Sequence, residues 1–105
     1  KPYLKEQISN LPSTPGIYKY HNVARDIIYI GKAKNLKKRV SSYFTKKHEN
    51  RKTAVLVSQI DHIEFTVVDT EFDALLLENS LIKEFQPKYN INLNNLLMEK
   101  LENQK

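Results

Sequence analysis

One glutamate stands in the middle of an apolar helical stripe. The segment 71–86 contains neither proline nor glycine. At about 100° per residue, Glu78 falls within a stripe formed by Ala74, Leu75, Leu81, Ile82 and Phe85. A carboxylate in such surroundings costs roughly several kcal/mol to desolvate unless a cation meets it. The sequence therefore favours a salt bridge to a lysine or arginine, a stripe edge where Glu78 reaches solvent, or a rigidly held ligand for a hard metal ion.

The stretch GIYKYHNVARDIIYIG, residues 16–31, holds both glycines of the chain. It predicts an antiparallel hairpin in which Gly16 lies opposite Gly31, Ile17 opposite Ile30, Tyr18 opposite Tyr29 and Lys19 opposite Ile28. Residues paired in this way point to the same face of a sheet. We therefore expect the tyrosines at 18, 20 and 29 on one face and the isoleucines at 17, 28 and 30 on the other.

Glycine at both ends of this hairpin would leave the tyrosine face uncrowded, so that a backbone or a phosphate can approach it closely. The alternative interpretation is an ordinary aromatic pair across two strands, with no chemical role. A slip of one residue in the pairing would separate the tyrosines.

The positive charge of the chain lies in one segment. The net charge is +5, and residues 31–52 carry nine basic side chains against the single acid Glu49. Tyr43 and Phe44 are interleaved with these basic residues. This pattern is typical of contacts to a phosphate backbone, although a solvated basic helix face has the same composition.

Several classes of protein are excluded by composition. The chain has no cysteine, so disulfides and thiolate metal sites are absent. The three histidines show no spacing typical of metal ligands. No apolar run approaches the roughly 20 residues of a membrane span. We expect a soluble, cytoplasmic domain without membrane contact and, because the first residue is Lys1 rather than methionine, a fragment or trimmed chain.

These candidate residues require a small mixed domain to hold them. Turn signals and apolar periodicity, with Asn35 as the cap of one helix and Asp69 or Thr70 as the cap of the last, predict the order α-β-β-α-α-β-α, an α+β domain with a small antiparallel sheet. The valines of segment 51–60 also fit a strand. The predicted elements are a helix over 3–12, strands over 17–20 and 27–31, helices over 36–44 and 51–60, a strand over 62–69 and a helix over 71–86.

Acidic residues cluster just before the Glu78 helix, at Asp69, Glu71 and Asp73. A second metal site is one interpretation. Acids at a helix start also satisfy free N–H groups and the helix dipole, and this explains the cluster better. We therefore expect one metal ion rather than two.

The residues also carry a resemblance. Gly16-Ile17-Tyr18 followed by Tyr29-Ile30-Gly31 resembles the signature of the GIY-YIG nuclease superfamily. The longer blocks LPSTPGIYKY, IIYIGKAKNLKKRVSSYF and VVDTEFDALLLENSLIKEFQPKYNINL are similar to the nuclease domains of UvrC-type proteins of bacterial nucleotide excision repair. The resemblance implies a three-stranded antiparallel sheet flanked by helices. It places this domain at residues 1–93 and leaves 94–105 as a tail, either a docked helix or a frayed end.

The resemblance further implies an endonuclease that depends on one divalent cation, Mg²⁺ or Mn²⁺, and cuts damaged duplex DNA on the 3′ side of a lesion. By position, Tyr29 resembles the group that activates the attacking water. Glu78 matches the single metal-binding carboxylate, and Arg39 the arginine that stabilises the phosphate. The matching supporting residues are Tyr18, Lys32 and Tyr43.

DNA contacts are expected along the basic segment, at Lys34, Lys37, Lys38 and Arg39. Asn90, within QPKYN, matches an asparagine that closes the site and is a further expected DNA contact. A tyrosine is an awkward base, since only about 0.1% is phenolate at pH 7. Lys32 or a metal-bound hydroxide would ease that difficulty, and the sequence does not decide between them.

The match fades after Leu93, and a UvrB-like partner is expected to bind through regions absent from this chain. Two other functions stay open at this point. One is a different nuclease of the superfamily, of the homing or junction-processing kind. The other is a catalytically silent module that binds DNA through segment 31–52.

Overall fold

A three-stranded antiparallel sheet with helices on both faces forms the domain. The computed structural model describes residues 2–45 and 50–90. The order of elements is the predicted one, and the predicted tail over 94–105 lies outside the described residues. The elements are α1 (Pro2–Ser9), β1 (Gly16–His21), β2 (Ile27–Ala33), α2 (Leu36–Thr45), α3 (Arg51–Gln59), β3 (His62–Val67) and α4 (Glu71–Phe85).

Strand β1 is central, and the strand order is β2-β1-β3. One face of the sheet carries the main core, to which α1, α2 and α3 contribute Leu4, Leu36 and Leu56 respectively. Helix α4 packs across the other face, against β1 and β2. Ile17 and Ile30, which are fully buried, point to this second face because side chains alternate along a strand.

The register of the hairpin differs from the predicted register by two residues. Gly16 pairs with Ala33, Tyr18 with Gly31 and Tyr20 with Tyr29. At the loop end of the ladder an irregularity between the last two pairs inserts an extra residue, Ile28, into β2.

Because side chains repeat every two residues along a strand, a shift of two leaves each of them on its face. Tyr18, Tyr20 and Tyr29 therefore share one face, as predicted. The prediction was wrong for Ile28, which lies at the irregularity and joins the core on the tyrosine face.

Close packing explains the two glycines, and the expected open approach for a phosphate was wrong. A Cβ on Gly31 would lie 2.3 Å from the hydroxyl oxygen of Tyr18, the residue directly opposite. A Cβ on Gly16 would lie 2.4 Å from the carbonyl oxygen of Thr66 and 2.6 Å from a methyl carbon of Leu36. The space that glycine leaves is thus filled by the protein itself.

Side-chain caps start the two helices that carry site residues. At α4, the Thr70 hydroxyl accepts a hydrogen bond from the backbone N–H of Asp73 (3.1 Å) and donates one to the Asp73 carboxylate (3.0 Å). This confirms that Asp73 belongs to a helix start. At α2, the Asn35 side chain accepts from the N–H of Lys38 at 3.0 Å, as predicted.

Helix α4 buries a narrower stripe than the predicted one. Ala74 is buried and Leu81 and Ile82 are half-buried, whereas Leu75 and Phe85 are exposed. Helix α4 packs against two of the three strands, β1 and β2, and its flanks stay exposed. No helix within residues 2–45 and 50–90 has the length and apolarity required to cross a membrane.

The Gly31→Ala substitution should destabilise the domain. Its added methyl group must displace the Tyr18 ring, and such overpacking costs about 1–3 kcal/mol of unfolding free energy. Urea denaturation measures the loss. In a Tyr18→Leu background the same substitution should cost less, and an undiminished cost there would show that the Tyr18 ring is not the obstacle.

Candidate active site

The outer edge of β2 holds two side chains of the site. The Asn90 amide accepts a hydrogen bond from the backbone N–H of Ile30 (2.8 Å) and donates one to its carbonyl oxygen (2.9 Å). Two residues further along the same strand, the backbone N–H of Lys32 donates to the Glu78 carboxylate. Because β1 pairs with only the inner edge of β2, the backbone N–H and C=O groups on the outer edge of β2 can form hydrogen bonds with side chains.

Glu78 projects from the middle of α4 and is half-buried. Desolvation raises the pKa of its carboxyl group above the ordinary value, while the charge and the backbone N–H of Lys32 act in the opposite direction. The Glu78 carboxylate is thus partly desolvated and faces the backbone N–H of Lys32 as a hydrogen-bond donor. That arrangement orients the carboxylate, as a metal ligand requires.

Tyrosine hydroxyls and an arginine meet on the other side of β2. The hydroxyls of Tyr18 and Tyr43 are hydrogen-bonded at 2.9 Å. Arg39, one helical turn before Tyr43 on α2, donates to the Tyr43 hydroxyl at 3.3 Å and lies over its ring at 5.1 Å from the centroid. Tyr29 also hydrogen-bonds with Tyr43.

The hydroxyl of Tyr29 is held in its neutral form. Burial raises its pKa most, and the nearby Tyr43 hydroxyl raises it further; the Arg39 charge lowers it, and the Glu78 carboxylate adds the smallest rise. Tyr29 is therefore within the electrostatic reach of both Arg39 and Glu78. A role for Tyr29 in proton transfer stays a prediction, since the surrounding protein alone does not ionise it.

A basic cavity of about 470 Å³ opens beside this network, between the starts of α2 and α4. Lys34, at the mouth, lies 3.9 Å from the Glu71 carboxylate in an exposed ion pair, which contributes little energy. The residues that line the cavity are Lys32, Ala33, Lys34, Asn35, Lys38, Arg39, Ser42, Glu71 and Ala74.

The predicted site residues therefore fall into three groups. Tyr18, Tyr29, Arg39 and Tyr43 form one network. Glu78 lies with Lys32 at the strand edge. Lys34 and Lys38 line the cavity with Arg39, whereas Lys37 is exposed on α2 outside its lining.

Asn90 has a structural contact instead of a free amide, since both of its bonds go to Ile30. A DNA contact by Asn90 stays a prediction. Sequence reasoning missed Tyr20 as a site residue, although it placed Tyr20 on the correct face. Its ring lies 5.3 Å from that of Tyr43 and 6.1 Å from that of Tyr29.

Among the described residues, no cluster of metal-ligating side chains surrounds Glu78. Within the described part of the chain, no three His, Cys, Asp or Glu side chains are grouped so that they could hold a metal ion. A site with one protein oxygen ligand suits a hard cation that keeps most of its water, as Mg²⁺ does. The donor set thus fits a single Mg²⁺ or Mn²⁺ ion and does not fit zinc, which takes three or four protein ligands.

Comparison with known proteins decides the family. Residues 14–91 match the family model described as the UvrC-like GIY-YIG domain. The chain belongs to the UvrC-like GIY-YIG family. The GIY-YIG domain is 61% identical over 89 residues to the UvrABC system protein C of Bacteroides thetaiotaomicron, and this match covers 85% of the chain and 15% of the relative. A protein of the same name from Methanococcus maripaludis is 58% identical over 86 residues, which cover 82% of the chain and 16% of that relative.

Solved structures show the same fold. The GIY-YIG N-terminal endonuclease domain of UvrC from Thermotoga maritima, bound to magnesium as its catalytic divalent cation, superposes with a TM-score of 0.75 at 37% identity. A point mutant of that domain, bound to its catalytic divalent cation, gives a TM-score of 0.76 at 36% identity. The two matches cover 85% of this chain and 97% and 96% of the respective structures.

Replacing Asn90 tests the strand-edge contact. In Asn90→Ala the N–H and C=O groups of Ile30 lose their partners, and we expect the free energy of unfolding to fall by about 2–4 kcal/mol. Urea denaturation measures the change. Asn79→Ala, on the exposed side of α4, is the control and should stay within about 0.5 kcal/mol of the parent. Equal stability of the two variants would contradict the importance of the contact.

Proposed function

We propose that this GIY-YIG domain is a metal-dependent endonuclease that hydrolyses a DNA phosphodiester bond, and that it makes the 3′-side incision of nucleotide excision repair. One observation carries the proposal. The hydroxyl of Tyr29 lies within electrostatic reach of both the Glu78 carboxylate and the Arg39 guanidinium. Such a site can hold a cation and a phosphate next to a hydroxyl group.

Glu78 is the residue that would hold the cation, in keeping with the magnesium bound by the Thermotoga relative. A bound Mg²⁺ or Mn²⁺ stabilises negative charge on phosphoryl oxygens and makes water more acidic. The N–H of Lys32 fixes the carboxylate so that one oxygen can face the substrate. The Lys32 ammonium group is exposed beside the cavity and adds positive charge there.

Arg39 is suited to hold the scissile phosphate. Its planar guanidinium can bind two phosphate oxygens at once. The Tyr43 hydroxyl accepts a hydrogen bond from Arg39 and thereby orients it. Tyr18, bonded to Tyr43 from the buried side, keeps that hydroxyl in place. Preorganisation of this kind lowers the cost of stabilising charge in the transition state.

Tyr29 is the candidate for contact with the attacking water. Its hydroxyl is neutral and hydrogen-bonded to Tyr43, so it can accept a proton only as another leaves along the hydroxyl network. We therefore assign Tyr29 the role of positioning the attacking water by a hydrogen bond, and a cation held by Glu78 would supply the charge that makes this water more acidic.

The DNA is proposed to run over the basic cavity, where Lys34, Lys38 and Arg39 face a common space. Each phosphate contact adds a salt-dependent contribution to binding. The chain spans about 15% of the length of the UvrABC system proteins that it matches. We propose that recognition of damage and contact with a UvrB-like partner in the cytoplasm depend on regions outside this span.

A nicking assay with the 105-residue chain tests the endonuclease function. We expect Mg²⁺ or Mn²⁺ to support nicking of a lesion-containing duplex, and EDTA to abolish it. Glu78→Gln keeps the shape but not the charge, and should reduce the rate at least about 100-fold, consistent with loss of a metal site. Glu84→Gln, on the exposed side of the same helix, is the matched control and should cut normally.

Unchanged nicking by Glu78→Gln would refute the metal site. DNA binding by the wild-type chain without any cutting would favour the silent binding module.

Because desolvation raises the pKa of Glu78, proton competition should weaken Mg²⁺ binding at a higher pH than for an ordinary surface glutamate.

The basic face of α2 is tested by the salt dependence of DNA binding. Lys37→Ala and Lys38→Ala should each weaken binding and reduce the slope of log K against log salt by about one. Fluorescence anisotropy with a labelled duplex measures the slope. Lys83→Ala, an exposed basic residue in the last turn of α4, is the control. A slope that is the same in all four proteins would count against α2 as the DNA contact.

A further inference from the structure

Tyr20 differs from the other tyrosines of the core. It is fully buried, with 0% exposure, and its hydroxyl has no hydrogen-bond partner among the described residues. Tyr18, Tyr29 and Tyr43, in contrast, are joined through their hydroxyls. A buried hydroxyl without a partner is costly for a fold, and a phenylalanine would fill nearly the same volume without that cost.

The Tyr20 ring touches every tyrosine of the proposed site. It stacks on Tyr29, its direct partner across β1 and β2, at 6.1 Å and 28° between ring planes. It meets Tyr43 edge-on at 5.3 Å and 86°, and Tyr18 at 5.2 Å. Tyr20 thus joins Tyr18 on the central strand in contacting both Tyr29 of β2 and Tyr43 of α2.

The hydroxyl of Tyr20 is under the electrostatic influence of Tyr29, Tyr43 and Arg39. Burial raises its pKa, the Tyr43 and Tyr29 hydroxyls raise it further, and the Arg39 charge lowers it. The group is therefore a neutral O–H whose nearest polar surroundings are site residues. The Tyr20 hydroxyl can therefore donate a hydrogen bond to the tyrosine hydroxyl network when another donor moves away from that network.

We propose that Tyr20 is a positioning residue for Tyr29 and Tyr43, with its ring fixing both side chains and its hydroxyl serving as a reserve donor to the Tyr43 oxygen. Besides its 2.9 Å hydrogen bond with the Tyr18 hydroxyl, that oxygen accepts a bond from Arg39 at the long distance of 3.3 Å. When a DNA phosphate takes the guanidinium, the Tyr43 oxygen loses this bond, and the Tyr20 hydroxyl replaces it. This inference rests on the proposed nuclease function.

Removal of the hydroxyl alone separates function from packing. For Tyr20→Phe we expect a melting temperature equal to or above that of the parent, because an unpartnered hydroxyl is gone. We expect kcat for nicking to fall about fivefold, the worth of one hydrogen bond, with KM for DNA unchanged. Tyr3→Phe removes a hydroxyl that bonds Asp61 outside the site, and its kcat should equal that of the parent.

The ring is tested by Tyr20→Leu, for which we expect kcat to fall about 100-fold, comparable to displacement of a reacting group by about 1 Å. Tyr20→Met serves the same purpose if the leucine variant does not fold. A double-mutant cycle then tests the route of action. In a Tyr43→Phe background no oxygen remains to accept the bond, so Tyr20→Phe should cause no further loss.

A folded Tyr20→Phe variant with unchanged kcat would overturn the role of the hydroxyl. A full fivefold loss in the Tyr43→Phe background would overturn the route through Tyr43. A folded leucine or methionine variant with normal kcat would overturn the role of the ring. Failure of the wild-type chain to cut refutes the proposed function itself and is thereby distinguished from all three results.

Discussion

The unpaired edge of β2 is the constraint on which the rest of the site depends. An edge strand presents N–H and C=O groups that must find partners. Here the side chains of Glu78 and Asn90 supply them at alternate residues, through Lys32 and Ile30. The same contacts that close the sheet edge therefore set the direction of the Glu78 carboxylate. A change in the path of α4 would disturb the fold and the proposed metal ligand together.

The second determinant is the tyrosine cluster, which is both core and site. Tyr18 and Tyr20 are as buried as any aliphatic residue of the domain, yet their rings support Tyr29 and Tyr43. Aromatic rings fill volume at low conformational cost and leave a polar tip at a defined point. In a chain of 105 residues the core is small, and sharing residues between packing and chemistry is an economical solution.

Much of the fold followed from local signals. Thr70 and Asn35 marked helix starts, and the alternation of tyrosine with isoleucine assigned the faces of the hairpin. The prediction of register failed because the mirror order of GIY and YIG suggested that like residues pair. The actual ladder pairs the bulky Tyr18 with Gly31, since the ring needs the space that a side chain would occupy. The exposure of Leu75 and Phe85 also escaped prediction, because a helical wheel does not show how wide the opposing sheet is.

The sequence by itself determined the types and order of the elements, the family signature and the anomaly of Glu78, because capping, periodicity and residue chemistry act over short distances along the chain. Only the tertiary structure decided which groups meet. The bond of Asn90 to Ile30 joins residues 60 positions apart, and the contact of Tyr20 with Tyr43 joins a strand to a helix. Such contacts arise from the packing of whole elements against each other, and no local pattern in the chain encodes them.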